Sequence, residues 1–467
     1  MADLIETLAG IVGARHVLIA PADQEAYTTD WLKTWSGRAA AVVRPANAAE
    51  VAAVLRLCHE RRIPVVPQGG NTGMSGGATP DASGGAIVLS LARLTAIRAI
   101  DPVGDTITVE AGCVLARVKD AAREAGRFFP LSLGAEGSCT IGGNLATNAG
   151  GINVLRYGTT REHALGLEVA LADGRIWDGL AALRKDNAGY ALRDLFIGSE
   201  GTLGVITAAV LKLQPAPLGQ ATAMVALADI DAALRLFAHA KACVGHSLTA
   251  FEFMTGECLD LVLRHVPKTT TPFAARPCAI ALIELSGASE SELGTMLEAM
   301  LAEAVSEGLA RDAVIAQSGE QAKALWHLRE GISEAQVKNG KTIKHDIAVP
   351  IGAIAAFMRE AKGAIETRFP GLAFVVFGHL GDGNLHYNLQ RAPGMSEADF
   401  LRVTEPLNAI VHNLVAAYRG SISAEHGIGQ LRRDELARLK APVALDMMRG
   451  IKALLDPHGI LNPGKLL

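Results

Sequence analysis

Apolar positions along the first half of the chain recur with two different periods. Val51, Val54, Leu55 and Cys58 fall at helical spacing. Asn47 and Glu50 stand before them at capping-box spacing, and Arg61 and Arg62 close the last turn. A helix is predicted here, and the apolar run Ile63–Val66 predicts a strand leading into a glycine-rich loop. Ala86–Leu91 and Asp105–Ala111 read as further strands, and Val114–Ala125 as an amphipathic helix. Thr202–Leu213 is rich in β-branched residues and predicts two strands joined by a turn. The texture changes near Pro215 and Pro217. Beyond them, strand-like Ala223–Leu227 and Ala279–Leu285 alternate with helical Asp231–Ala242 and Ser291–Glu307. That order suits an α+β domain with a mainly antiparallel sheet. The predicted division is 1–216, 217–420 and a C-terminal helical segment, 421–467.

Polar side chains of the second half sit at informative positions in these patterns. Ala373–Gly378 predicts an apolar strand, followed by the loop Gly378–Asn384 and a second strand. With period-2 alternation His386 and Asn388 share one face of it, and Leu385, Tyr387 and Leu389 the other. A strand–turn–strand brings His379 and His386 together at the loop mouth. Two neutral imidazoles and a carboxylate suit a divalent metal ion, although such a pair also serves as plain hydrogen-bonded structure. Glu425 is a carboxylate candidate, with helix entry or a surface ion pair as its ordinary uses. His426 beside it is a core histidine or a general base. Arg329 and Ser333 stand four apart in a helical stretch, and an arginine fork suits a substrate carboxylate. In Thr342–Pro350, alternation sets Lys344 and Asp346 opposite Ile343 and Ile347, on the wet face. His345 falls on the apolar side and reads as structural.

Charge and composition narrow the classes. The 467 residues carry a formal net charge of −4, without the basic face that nucleic acid or an anionic membrane favours. Six scattered cysteines form no CxxC, disulfide frame or zinc ribbon. No apolar run reaches the length of a membrane span. Asp3 and Glu6 stand where a signal peptide would be basic, so a cytoplasmic location is expected, with no transmembrane anchor. Glycine is in excess, at 49 residues. Sixteen of them lie in four short runs, 69–77, 137–151, 198–204 and 378–383. Dense glycine in an apolar chain points to backbone approaching a large ligand.

Two motif matches are decoys. Gly459–Lys465 resembles a phosphate loop but has no helix after it, and Ser75 in Gly73–Gly77 lies too far past its strand for a nucleophile elbow. No G-x-G-x-x-G run occurs, which argues against a nicotinamide cofactor. The loop Pro67, Gly69, Gly70, Asn71, Thr72, Gly73 and Ser75 can aim several backbone N–H groups at one anion. Gly137, Ser138, Thr140, Gly142, Gly143, Asn144, Thr147, Asn148 and Gly151 repeat that chemistry, and Glu200 and Gly201 lie in a third run. Three such segments suit a long ligand such as a pyrophosphate-bridged dinucleotide.

In this order the runs PQGGNTG, GSCTIGGNLATNAGG, RYG (156–158), RKDNAGY (184–190) and FIGSEGTLGVIT (196–207) resemble the FAD-binding domain of the vanillyl-alcohol oxidase fold, the PCMH type. Many members attach the flavin to a histidine where this chain has Asn71, so the resemblance implies non-covalent FAD. It adds Ile206 and Asn462 to the flavin-binding set. The phrases AFEFM (250–254), ALWHLREGI (324–332), GHLGDGNLH (378–386), SAEHGIG (423–429) and LDPHGILNPGK (455–465) are similar to the D-2-hydroxyacid dehydrogenase branch, above all to members that oxidise D-2-hydroxyglutarate to 2-oxoglutarate. D-lactate and glycolate are the alternative substrates, and a non-catalytic nucleotide-binding protein the alternative of another class.

The resemblance implies a zinc-like ion held by His379, His386 and Glu425, and substrate anchored by Arg329, Ser333 and Lys344. It places Asn388, Glu425 and His426 near the reacting carbon, with the C-terminal segment closing the site. Where Ser333 stands the branch carries threonine. On that resemblance the ion would acidify a bound hydroxyl, His426 would take its proton, and the flavin would accept the hydride. With no second redox centre in the sequence, electrons leave to an external acceptor, for which the family implies an electron-transfer flavoprotein or a quinone. A homodimer is compatible with all of this.

Overall fold

The computed structural model describes residues 2–467. The chain forms two compact units. The first comprises the chain up to Gly151, Gly158–Ala216 and Glu425–Leu467; the second comprises Ile152–Tyr157 and Pro217–Ala424. The change of texture near Pro215 therefore coincides with a unit boundary. From Glu425 onward the predicted C-terminal segment folds into the first unit.

Two sheets and a short strand pair build the first unit. Strands β1 (Val17–Leu18), β2 (Ala41–Val43), β3 (Val65–Gln68) and β4 (Ile87–Ser90) lie in the order β1-β2-β4-β3. β2 and β3 both run parallel to β4. The helix Ala48–Arg61 connects β2 to β3, as its apolar stripe and cap require. Asn47 Oδ1 accepts from the Glu50 N–H at 2.9 Å, while the Glu50 carboxylate reaches one residue further back, to the Ala46 N–H at 2.7 Å. Val51, Val54, Leu55 and Cys58 are buried together with Leu461 from the C-terminal segment.

The second sheet contains β5 (Ile97–Asp101), β6 (Thr106–Glu110), β8 (Ala164–Ala170), β9 (Ile176–Gly179) and β10 (Val205–Lys212) in the antiparallel order β5-β6-β10-β8-β9. The short strands β7 (Arg127–Phe128) and β11 (Gln214–Pro215) pair with each other. β10 corrects the expected strand pair. Val205–Lys212 is one strand, hydrogen-bonded to β6 on one side and β8 on the other; the turn lies before it, in the glycine run. A strand buried on both sides loses the alternation that marks a half-exposed one.

Unit two carries an eight-stranded antiparallel sheet. Its strands are β12 (Gly219–Leu227), β13 (Leu248–Thr255), β14 (Ala279–Gly287), β15 (Asp312–Ile315), β16 (Thr342–Ile343), β17 (Asp346–Ala348), β18 (Ala373–His379) and β19 (Asn384–Gln390). They run β15-β12-β14-β13-β18-β19-β16, and β17 also pairs with β19. The predicted helices form as Ile230–Val244 and Glu290–Ser306. No helix among the described residues is long and apolar enough to cross a membrane.

Candidate active site

The glycine runs of the first unit converge on one cleft of ≈ 960 Å³, its open mouth included. From the first run it is lined by Pro67, Gly69, Gly70, Asn71, Thr72, Gly73 and Ser75. The second run supplies Thr140, Gly142, Gly143, Asn144 and Thr147, and the third supplies Glu200 and Gly201, with Ile206 from β10. Gly77 and Gly204 of the same glycine runs also line it, as do Gln68, Leu91, Ala146 and Ser199, whose residue types did not announce it.

The glycines divide by cause. A Cβ on Gly70 would lie 2.1 Å from the Ser138 carbonyl oxygen, so two protein loops press together there. Gly73 would meet nothing within 4 Å; its surface faces open space. Only the second kind answers to a ligand. Thr140 Oγ1 is buried without a hydrogen-bond partner, as a group kept for a bound molecule would be. An open glycine and an orphaned hydroxyl in one cleft fit an FAD.

Five predicted flavin residues lie outside the lining. Gly137 and Ser138 sit beside it, Ser138 by pressing on Gly70. Gly151 would place a Cβ 2.0 Å from the Ser132 carbonyl. Asn148 is left-handed (φ 50°) at the end of the helix Ile141–Thr147, where its Oδ1 accepts from the Arg161 N–H at 2.9 Å. Asn462 is 2 % exposed and donates through Nδ2 to the carbonyls of Gly77 (2.9 Å) and Glu200 (2.7 Å). It ties two glycine loops together. Asn71 is likewise occupied with the protein: its Nδ2 donates to the carbonyls of Ala26 (3.2 Å) and Thr29 (2.9 Å).

His426 lines the same cleft. Its backbone is held from two directions. Ser75 Oγ donates to the carbonyls of His426 (3.2 Å) and Gly427 (3.1 Å). Glu200 accepts from the N–H groups of Ile428 (2.7 Å) and Gly429 (2.8 Å). Burial pushes the Glu200 carboxyl above its ordinary range, and those two N–H groups oppose the shift. Glu425 precedes His426 in this segment.

In the second unit the hairpin β18–β19 forms as the alternation predicts, closing through Gly383 at φ 88°. The rings of His379 and His386 stand 6.2 Å apart at 73°. His379 lies opposite Glu252 of β13 in register, and its Nδ1 meets Glu252 Oε1 at 2.6 Å. An ionised carboxylate only accepts, so Nδ1 carries the proton and Nε2 keeps the lone pair. The same carboxylate holds Arg329, whose Nη2 and Nε lie 2.7 and 2.9 Å from Oε2. The guanidinium also covers the Phe377 ring at 4.8 Å. Burial alone would raise the Glu252 carboxyl, but its close contacts with His379 and the Arg329 guanidinium outweigh it and hold it below the usual range. Glu252 was invisible to pattern reading, because a carboxylate inside an apolar strand carries no motif; AFEFM drew notice only through the resemblance.

Several expected positions move. Arg329 is buried, whereas Ser333 is exposed. The helical stretch divides at Gly331 into Gly319–Glu330 and Ile332–Asn339. Lys344 and His345 fall in a break between β16 and β17. Lys344 is exposed, and partial desolvation lowers its ammonium from the ordinary lysine value. Asp346 is not on a wet face: it is 1 % exposed, pairs with His386 in register, and accepts from Asn384 Nδ2 at 2.9 Å. His345 is buried, with Nδ1 2.8 Å from the Tyr387 carbonyl and Nε2 2.9 Å from Asn408 Oδ1. Asn388 is buried and uses its amide within the sheet, accepting from the His345 N–H at 3.1 Å and donating to Gln336 at 3.2 Å.

Residues 39–179 match the FAD binding domain family, and residues 216–466 match the family of FAD linked oxidases, C-terminal domain. The fold is shared with a p-cresol methylhydroxylase (TM-score 0.79, 16% identity, covering 100% of this chain and 96% of that one). A 4-ethylphenol oxidase from Gulosibacter chungangensis shares it too (TM-score 0.73, 17% identity, covering 100% and 96%). Fold and cleft together define a flavin-dependent oxidoreductase of the PCMH type. A D-2-hydroxyglutarate dehydrogenase of Bos taurus, named mitochondrial, is 42% identical over 100% of this chain and 83% of its own length. Another from Xanthomonas citri pv. viticola is 40% identical over 99% and 96%. The chain belongs to the D-2-hydroxyglutarate dehydrogenase family and is an FAD-dependent D-2-hydroxyacid dehydrogenase.

Proposed function

We propose that this enzyme oxidises D-2-hydroxyglutarate to 2-oxoglutarate and passes the electrons to an external acceptor, an electron-transfer flavoprotein or a quinone. One observation carries the substrate: identity of 40–42% over nearly the whole chain to relatives named for it. Bound FAD supplies the hydride acceptor in the cleft of the first unit. His426 lines that cleft on a backbone pinned by Ser75 and Glu200, which suits a base that takes the hydroxyl proton. A carboxylate on each end of the substrate calls for cationic partners, and Arg329 and Lys344 are the proposed ones.

A divalent ion of the zinc type is part of the proposal. His379 and His386 are its donors in the second unit. The Glu252 contact leaves His379 Nε2 as the lone-pair nitrogen, the form that binds a metal. Glu425 is the third donor implied by the family resemblance. Such an ion acidifies a bound hydroxyl. A cytoplasmic location completes the reading; cell fractionation tests it.

The decisive experiment is anaerobic flavin bleaching. The flavin-loaded enzyme is mixed with D-2-hydroxyglutarate, D-malate, D-lactate or glycolate, and the bleaching rate is followed. D-2-hydroxyglutarate should bleach fastest. Faster bleaching by D-lactate or glycolate overturns the substrate assignment. Full activity after exhaustive chelation, with the metal content measured as nil, removes the ion.

A further inference from the structure

The helices Ile230–Val244 and Glu290–Ser306 pack side by side in the second unit. His239 and Cys243 stand one turn apart on the first helix, so both side chains project from one face. Glu303 comes from the second helix. Cys243 Sγ lies 3.6 Å from His239 Nε2, and Glu303 Oε2 lies 3.9 Å from the same nitrogen. One donor atom from each residue falls within 4.8 Å of the others.

These separations can be set against a tetrahedral zinc site. With Zn–S of about 2.3 Å and Zn–N of about 2.05 Å, the sulfur–nitrogen edge of a tetrahedron is about 3.6 Å. The His239–Cys243 pair already has that edge. The nitrogen–oxygen edge is about 3.3 Å, so the exposed Glu303 side chain must close by roughly half an ångström. His239 Nε2 also lies 3.2 Å from the Met300 carbonyl oxygen. That contact yields when Nε2 coordinates and the ring proton moves to Nδ1. Cys243 and Glu303 are exposed, so an ion can enter and a water can take the fourth position.

We propose that His239, Cys243 and Glu303 form a site for a thiophilic divalent cation of the zinc class, which clamps the two helices together. It differs in kind from the proposed active-site ion, whose donor set contains no sulfur. Desolvation, and after it the charges of Glu303 and Glu307, push the Cys243 thiol up, and the negative field of the two carboxylates draws a cation. Coordination reverses that shift by displacing the thiol proton.

Cadmium is the probe, because sulfur-to-cadmium charge transfer absorbs in the ultraviolet. The full-length, FAD-loaded enzyme is titrated with cadmium chloride, and the difference spectrum is read. One equivalent should give a thiolate band. Cys243→Ser should lose it, and Cys278→Ser, which removes the other exposed thiol, should keep it. His239→Ala should weaken cadmium binding by more than the roughly tenfold that losing a supporting group costs. Zinc should slow labelling of Cys243 by a thiol reagent, and should raise the melting temperature of the wild type by more than that of Cys243→Ser, which keeps only the proposed active-site ion. Absence of the band in the wild type overturns the site. So does an undiminished band in Cys243→Ser, or an unchanged affinity in His239→Ala.

Discussion

Glu252 offers the sharpest test of how the second unit is held together. Its side chain is 1 % exposed, and it joins two others that are nearly as buried, Arg329 at 8 % and His379 at 9 %. Glu252→Ala removes the acceptor of three contacts at 2.6–2.9 Å and leaves a guanidinium in the interior with no counter-charge. Removing one member of a buried ion pair costs about 3–5 kcal/mol, because the survivor keeps its desolvation penalty. For a unit of this size each kcal/mol moves the midpoint by about 2–4 °C, so a fall of roughly 6–20 °C is expected. Trp326 is the only tryptophan of this unit; its indole N–H donates to Glu284 at 2.8 Å, and its fluorescence follows the transition in urea. Adding Arg329→Met to Glu252→Ala should recover much of the loss, since a methionine leaves no charge to strand. A loss below about 1 kcal/mol, or no recovery in the double variant, would show that the three side chains do not act as one electrostatic unit.

Three further outcomes are expected. Gly70→Ala should abolish FAD retention on gel filtration, because its methyl group would lie 2.1 Å from the Ser138 oxygen; a yellow, flavin-replete variant would contradict the packing argument. His426→Gln should keep the flavin bound but slow anaerobic bleaching by about 10²–10⁴-fold, the usual worth of a general base, and bleaching at the wild-type rate would remove it from that role. His163 is 2 % exposed, and burial lowers its imidazole from 6.5 to about 4. The fold favours the neutral ring, so its contribution is complete above pH 6.5 and is lost as pH falls toward 4, by about 3 kcal/mol in all. Urea midpoints measured between pH 7.5 and 4.5 should fall less steeply for His163→Gln than for the wild type.

How far the sequence carried depended on how local each feature was. The helix Ala48–Arg61 was legible because its cap, stripe and closing residues all lie within fifteen positions. The hairpin holding His379 and His386 was legible for the same reason. Single strands buried on both sides were not: Val205–Lys212 shows β-branched richness but no period. The interruption at Gly331 between Arg329 and Ser333 was not legible, because the stretch looks continuous in one dimension. Glu252 escaped because its meaning lies in partners 77 and 127 residues away. The glycine excess pointed to a ligand, yet Gly70 and Gly151 owe their identity to neighbouring backbone and only glycines such as Gly73 to open space.

The return of Glu425–Leu467 to the first unit bears on the order in which the protein matures. During synthesis the second unit is complete once Ala424 has left the ribosome. The flavin domain is not. It still lacks the Asn462 amide that bridges Gly77 and Glu200, and the N–H groups of Ile428 and Gly429 that occupy the Glu200 carboxylate. The first unit, though its earliest residues precede the second unit in the chain, is therefore completed after it. A chain cut after Ala424 is expected to keep the substrate-domain sheet but to lack these cradle contacts, and the flavin absorbance of the purified product tests this.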